Sequence, residues 1–437
     1  MFLGVDLGTS GIKLVLTDDS GAIVDSASCA FEVSRPKPLW SEQNPQDWWD
    51  GFCAAMDKLH AQHDLSGIQA IGFAGQMHGA TLLDEHQQVL RPAILWNDGR
   101  CEAQCEEIEQ RVPNAREITG NIIMPGFTAP KLLWVKQHEP ELFAKIDKVL
   151  LPKDYLRLLL SGDFASDMSD AAGTMWLDVD KRCWHADMLK VCGLNESHMP
   201  ALFEGNAITG TLSDDVAKRW NMKCVPLVAG AGDNAAGAIG VGIVKPGQAM
   251  LSLGTSGVYF AVSEGFRSNP ESAVHSFCHA LPHTWHLMSV MLSAASCLQW
   301  YAEQVAKKEV SVLLTELEQA TKNETTDTQD RTQNGPLFLP YLSGERTPHN
   351  NPNATGAFFG LTHSSSQVAL THSVLEGVTF GLADGVDALH ASGVQVDEIT
   401  LIGGGAKSAY WRQLIADVLQ RPVTYRQGGD VGPGLGA

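Results

Sequence analysis

The pentapeptide Leu-Gly-Thr-Ser-Gly occurs twice, at Leu7–Gly11 and at Leu253–Gly257, and each copy sits between two short apolar runs. FLGVD leads into the first copy and IKLVLT leaves it; AMLSL leads into the second and VYFAV leaves it. Five matching residues alone are weak. A matching strand–turn–strand frame on both sides points to two domains of one plan, each opening with a β-hairpin turned on Gly-Thr-Ser-Gly. A length of 437 residues agrees, since roughly 150 per domain allows two or three. The division is placed at residues 1–243 and 244–437.

The local pattern fills in this frame. Asp19-Ser20-Gly21 marks a turn into a third strand at Ala22–Ser26, which makes an antiparallel meander rather than a strand–helix unit. Pro45–Gln62 reads as a helix with Asn44 as its cap and Trp48, Phe52, Met56 and Leu59 on one stripe. Ile68–Ala74 reads as a strand and Cys101–Arg111 as an acidic, exposed helix. Further strands are expected at Cys224–Gly230, Ala249–Leu253, Val258–Ser263 and Glu398–Ile402. Val368–His390 and Ala409–Leu419 read as helices. In the first of these, Gly377, Gly381 and Gly385 share a face suited to close packing. Lys322–Asn334 is polar without periodicity and reads as a surface loop.

Charge narrows the function. There are 31 basic and 50 acidic side chains, net −19, which disfavours a nucleic-acid binder and docking on an anionic membrane. No apolar run approaches the ~18 residues needed to span a bilayer. The N-terminus reaches Asp6 without a basic leader, and the nine cysteines contain no CxxC pair, so a reduced, cytoplasmic protein is expected. A phosphate ligand remains compatible with this charge, because backbone N–H groups and a metal ion bind one locally.

Glycine lets backbone approach a ligand, and the N–H groups of a tight turn form an anion nest. One Gly-Thr-Ser-Gly copy alone would be an ordinary hairpin turn; two, facing across a cleft, could grip a polyphosphate. Asp6, just before the first turn, would repel phosphate unless a cation lay between, which suggests Mg²⁺ held largely through its waters. Lys13 is as readily an ordinary surface lysine as a phosphate neutraliser. Gly403-Gly404-Gly405-Ala406-Lys407 fits neither a P-loop nor a dinucleotide fingerprint; it suits a bare surface for adenine or ribose, or a plain helix entry. Asp233 follows a buried strand and precedes small residues. It could be a helix cap, or a carboxylate that accepts a hydroxyl proton during phosphoryl transfer, which needs no raised pKa because the proton can move late. Gln76-Met77-His78 and Trp96-Asn97-Asp98-Gly99-Arg100 offer directed polar groups suited to a sugar, or simply well-packed loops.

Together these stretches resemble the sugar-kinase family that includes glycerol, gluconate, ribulose and xylulose kinases. The resemblance covers essentially the whole chain. It is carried by DLGTSGIK (Asp6–Lys13), LWSEQNP (Leu39–Pro45), GQMHGATLLD (Gly75–Asp84), ILWNDGR (Ile94–Arg100), LPKDYLR (Leu151–Arg157), SDAAGTMW (Ser169–Trp176), GDNAAGA (Gly232–Ala238) and PYLSGERTPHNNP (Pro340–Pro352). It implies an α/β fold of two ribonuclease-H-like domains of the actin and hexokinase superfamily around a central cleft, the N-terminal one binding sugar and the C-terminal one nucleotide. Asp233 is implied as general base. Gln76, Met77, His78 and Asn234 are implied as sugar contacts. Asp6, Gly8, Thr9, Ser10 and Lys13 match the first phosphate motif, with Asp6 on the metal side. Gly254, Thr255 and Ser256 match the second, and Gly404, Gly405 and Lys407 the adenosine motif. ATP and Mg²⁺ are the implied cofactors. D-xylulose is the implied acceptor, with L-ribulose or glycerol as alternatives, and a homodimer is possible. The rivals are an actin-like ATPase switch, which would need neither GQMHG nor WNDGR, and a silent sugar-binding regulator. Family members run on past the stretch matching Asp430–Ala437 into a further helix, so the chain is read as a shortened form with its adenosine side affected.

Overall fold

A computed structural model of the chain describes residues 1–322, 335–426 and 432–437. Strands β1 (Phe2–Leu7), β2 (Gly11–Thr17) and β3 (Ile23–Ala30) form the expected antiparallel meander. On the other side of β1 lies β4 (Ile71–Gly75), parallel to it. Next come β5 (Ile208–Thr211) and β6 (Pro226–Val228), and β7 (Ala231–Gly232) also pairs with β4. The sheet order is β5-β6-β4-β1-β2-β3.

The second half repeats the plan. β8 (Gly247–Leu253) and β9 (Gly257–Ser263) make the hairpin, with β10 (His275–Cys278) and β11 (Trp285–Met291) beyond β9. β12 (Val396–Ile402) runs parallel to β8, and β13 (Val423–Tyr425) parallel to β12. In both sheets a meander is followed by a strand laid parallel to the first, so the repeated pentapeptide occupies the same topological place twice.

Burial follows the strand alternation. In the first sheet Leu3, Val5 and Leu7 of β1 and Ile12, Leu14 and Leu16 of β2 pack with Trp48, Phe52, Met56 and Leu59 of α1 (Pro45–His60). Asn44 caps that helix by accepting from Gln46 N at 3.2 Å. In the second sheet, Leu251, Tyr259, Ala261 and Leu287 face a core shared with long helical segments. Met250, Phe260, Val262, Phe277 and Met288 point the other way, into a core shared with residues 101–199 of the first half. The two lobes are thus welded on one side by apolar packing.

Four helices frame the ligand-facing region and the end of the chain: α2 (Asp233–Gly240), α3 (Gln367–His390), α4 (Ala409–Leu419) and α5 (Gly432–Gly436). The glycine face of α3 packs as the sequence suggests; a Cβ on Gly377 would lie 2.1 Å from the Phe338 carbonyl oxygen. One expectation is refined. The helix at Glu102–Arg111 exposes Glu102, Ala103, Glu106, Gln110 and Arg111, but it buries its other face through Gln104, Cys105 and Ile108. Gly432–Ala437 sits on the first lobe, against β1, β4 and α2, so Gly434 O would lie 1.9 Å from a Cβ on Gly4. The polar stretch expected as a loop falls, from residue 323 to 334, outside the described residues.

Candidate active site

Three neighbouring strands end at one edge of the first sheet. Register sets Leu7 of β1 beside Gly75 of β4, and Gly75 beside Gly232 of β7. The residues that leave these ends are the Gly8–Ser10 turn, the Gln76–His78 loop and Asp233-Asn234. Carboxyl ends of adjacent strands are where ligands bind in α/β folds. Gln76 N donates to Leu7 O at 2.8 Å and ties two of the exits together.

Asp233 is the first residue of α2, whose cap is Gly232, and its side chain does not cap the helix. Asn234 donates to Asp233 Oδ1 twice, from N at 2.7 Å and from Nδ2 at 2.9 Å. Among the described residues no donor reaches Oδ2, which is left to take a proton. Burial, then the nearby Asp6 carboxylate, pushes the Asp233 pKa up to about 7. Asp6 stands opposite Lys13 across the hairpin. Burial raises its pKa to about 6 against the pull of Lys13. Two carboxylates that both resist ionisation, with an ammonium alongside, make a pocket that favours added positive charge.

The sugar-loop residues are held firmly. Gln76 and Met77 are buried. His78 has φ 70°, an uncommon backbone state for a residue with a side chain. Lys131 Nζ at 2.8 Å and Thr128 Oγ1 at 3.2 Å both donate to its carbonyl. Its ring Nδ1 donates to Gly173 O at 2.8 Å. Burial, with Lys131 nearby, lowers the His78 pKa to about 3, so the ring is neutral and Nε2 presents a lone pair to a hydroxyl donor. Met77 packs on the strand that carries Asp233: a Cβ on Gly232 would lie 2.8 Å from its sulfur. Gly232→Ala is therefore expected to push Met77 aside and raise the KM for sugar about tenfold, with the KM for nucleotide unchanged; steady-state kinetics checks both.

The first turn differs in one respect from its reading as a set of free donors. Thr9 Oγ1 donates to Gln76 Oε1 at 3.0 Å and accepts from Trp96 Nε1 at 2.8 Å, so its hydroxyl is spent within the lobe. Gln43 Nε2 donates to Thr9 O at 2.7 Å, and Gln43 Oε1 accepts from Gln76 Nε2 and Trp48 Nε1. Ser10 is exposed and its carbonyl accepts from Phe31 N. Gly8 N closes the turn onto Gly11 O.

In the second lobe Gly254, Thr255, Gly404, Gly405 and Lys407 come together around one cavity of about 800 Å³. Trp300, Gln299, Gln304 and Trp411 also line it. The carbonyls of Gly254 and Thr255 accept from the amides of Ala295 and Ala294, each at 2.9 Å, which ties the turn to the helix behind it. Ser256 is not in the lining; its carbonyl accepts from Gly254 N.

Of the Trp96–Arg100 group, Trp96 alone reaches the site, by its bond to Thr9. Asp98 and Arg100 form a buried anchor instead: Arg100 pairs with Asp98 at 2.6 Å and with Glu42 at 2.7 Å, and Arg91 joins through Glu42. Sequence reasoning missed Lys131, and Gln43, though it lies in LWSEQNP, received no role. It also missed Arg346, whose guanidinium donates to His275 Nε2 at 3.4 Å and whose charge helps lower the His78 pKa from the opposite lobe. Arg346 lies in GERTPH, so the motif was visible but carried no residue role.

The model of the FGGY family of carbohydrate kinases, N-terminal domain, matches residues 1–240, and that of the C-terminal domain matches residues 249–437. The chain belongs to the FGGY family of carbohydrate kinases. A xylulose kinase of Escherichia coli is 62% identical over 437 residues, covering 100% of this chain and 88% of that one. A xylulose kinase of Klebsiella pneumoniae is 58% identical over 438 residues with the same coverage. A crystal structure of a xyloylose kinase from Brucella ovis superposes with TM-score 0.94 at 49% identity, over 100% of this chain and 88% of that one. The two-lobed FGGY fold is thus the expected actin- and hexokinase-like one, and a kinase of this family takes ATP as substrate. No helix among the described residues of this FGGY chain is long and apolar enough to cross a membrane.

Proposed function

We propose that the protein transfers the γ-phosphoryl group of ATP to the terminal hydroxyl of D-xylulose, giving ADP and D-xylulose 5-phosphate. The observation that carries this reading is the Asp233 carboxylate, half-buried at the sheet edge, with Oδ2 unengaged and the Met77–His78 loop packed beside it. In the proposal residues 1–243 bind the sugar and residues 244–437 the nucleotide, whose base and ribose lie in the Gly404–Lys407 cavity. Ser10 and Thr255 offer backbone N–H groups to the phosphates, Gly8 and Gly254 close the two turns with theirs, and Lys13 offers charge.

His78 Nε2 accepts from one sugar hydroxyl, and Asn234 Oδ1 is available to another. Asp233 Oδ2 then takes the proton of the attacking hydroxyl as the new P–O bond forms. Phosphoryl transfer is mostly a matter of position and charge, so the rigid mounting of these groups counts for more than their basicity. Among the described residues no group of three or more His, Cys, Asp or Glu could hold a metal ion by itself. A single carboxylate such as Asp6 suits Mg²⁺, which keeps several waters and shares phosphate oxygens. Bound there, the ion would supply charge neutralisation for the phosphates.

A coupled ADP assay over pentuloses, polyols and sugar acids tests the reading. D-xylulose is expected to give the highest kcat/KM. Preference for L-ribulose or glycerol would overturn the acceptor assignment, and ADP formation indifferent to any sugar would favour an ATPase switch. The pH profile gives a second check. Asp233 must be ionised to take a proton, so kcat/KM for sugar is expected to fall tenfold per unit below about pH 7 and to level off above it. A midpoint near an ordinary carboxylate value, about 4, would mean that Asp233 is better solvated than its burial indicates, and a profile with no acid limb would count against it as the base.

A further inference from the structure

Behind the Asp233 strand lies a buried ionic cluster that the proposed transfer does not use. Lys153 Nζ meets three carboxylates: Asp154 Oδ1 at 2.6 Å, Asp167 Oδ1 at 2.8 Å and Asp170 Oδ2 at 3.3 Å. All four side chains are buried, and one ammonium serves three acids. Such a group is costly to assemble, and a segment that contains it has few ways to move.

The cluster reaches toward the reacting groups through Ser169. Asp167 Oδ2 accepts from the Ser169 hydroxyl and from Ser169 N at 2.7 Å. The Ser169 oxygen in turn accepts from Gly232 N at 3.1 Å. Gly232 is the residue from which Asp233 departs. A hydroxyl whose proton is given to a carboxylate is a stronger acceptor, so the Lys153–Asp167 pair strengthens the hold on the Gly232 amide. A Cβ on Gly232 would lie 2.8 Å from the Met77 sulfur, and Gly232 pairs with Gly75 in the sheet. The chain Lys153, Asp167, Ser169, Gly232 adds a side-chain hold on the amide of the residue from which Asp233 departs.

We propose that Ser169 is a positioning residue for the phosphoryl transfer: the buried Lys153–Asp167 pair orients its hydroxyl, and that hydroxyl holds the Gly232 amide and so aims the Asp233 carboxylate. This rests on the reading of Asp233 as general base. Ser169 is buried, with its hydroxyl engaged by Asp167 and Gly232. Its loss leaves Met77, His78 and Asn234 in place, so the effect falls on turnover rather than on sugar binding. A misplacement of the order of an ångström is enough to cost tenfold or more.

The test uses Ser169→Ala and Ser169→Cys in the full chain, each made alone and with Asp233→Ala. Product formation is read at saturating ATP and D-xylulose, by single turnover at high enzyme where turnover is slow. Ser169→Ala and Ser169→Cys are each expected to lower kcat about tenfold, with the KM for D-xylulose within about twofold. In the Asp233→Ala background neither is expected to lower the residual rate further, because the residue acts through Asp233. An unchanged kcat in the single variants overturns the proposal, and so does an equal loss in both backgrounds. If Ser169→Ala does not fold, Ser169→Cys, of nearly equal size but a poor acceptor, carries the comparison. Near-normal turnover in Asp233→Ala alone would instead refute the base, a separate outcome from any result at Ser169.

Discussion

Asp233→Ala is expected to lower kcat by about 10³-fold, within the range that general-base catalysis contributes. Sugar binding should survive, because Met77 and the His78 ring are held by contacts that do not involve Asp233, while Asn234 loses only the bonds it donates to Asp233. Titration calorimetry with D-xylulose would show a dissociation constant within a few-fold of the parent. The same substitution should stabilise the fold at high pH. The pKa of Asp233 is raised to about 7 in the folded chain, so the native state prefers the protonated form. The stability this confers is full below pH 4, and it is lost as pH rises through 7. Removing the carboxyl should therefore raise the free energy of unfolding at pH 8 by up to about 4 kcal/mol, roughly three pKa units at about 1.4 kcal/mol each, and by about a third of that at pH 5. Equal midpoints at pH 8 would mean that the carboxylate is better solvated than its surroundings indicate.

Lys153→Met should damage the fold severely. It leaves Asp154, Asp167 and Asp170 buried without their cation, and breaking a buried ion pair in this way costs about 3–5 kcal/mol. Burial already raises the Asp154 and Asp170 pKa values while Lys153 opposes the rise. Without Lys153 both shift further up. The folded variant would then hold its carboxyls protonated at low pH and lose stability as the pH climbs through their raised values. Urea denaturation at pH 6 and pH 8 should show a larger deficit at pH 8. A midpoint equal to the parent's at both values would show that the three acids do not depend on the lysine.

The plan of two like lobes is legible because a repeat in the sequence is a repeat in topology. The pentapeptide marks the same hairpin in both sheets, and the strands around it fall within a few residues of their expected places. Ile68–Ala70 reads as strand, although pairing begins at Ile71, because a short apolar run does not reveal where a partner starts. Asp233 is legible for a local reason: an acid at a strand end, followed by residues too small to cover it. Thr9 reads as a free donor because its partners, Gln76 and Trp96, are far away in sequence. Asp98 and Arg100 look like a polar rim when read along the chain, but across the fold they meet Glu42 and are buried. Lys153, Asp167, Asp170 and Ser169 lie in or beside LPKDYLR and SDAAGTMW. No spacing rule brings the adjacent Lys153-Asp154 pair of one helix to Asp167 and Asp170 of the segment beyond it, so that cluster is visible only in the fold.

The seating of Gly432–Ala437 on the first lobe has a mechanical meaning. The chain leaves that lobe along α2, builds the second sheet, and returns as α5 against α2, so close that a Cβ on Gly436 would come within 1.8 Å of Ala236 O. Outgoing and returning passages thus run side by side, like the two knuckles of a door hinge. Whatever narrows the gap between Asp233 and the nucleotide cavity must then flex where these backbones touch, and the apolar seam of Met250, Phe260 and Phe277 against residues 101–199 must yield with it.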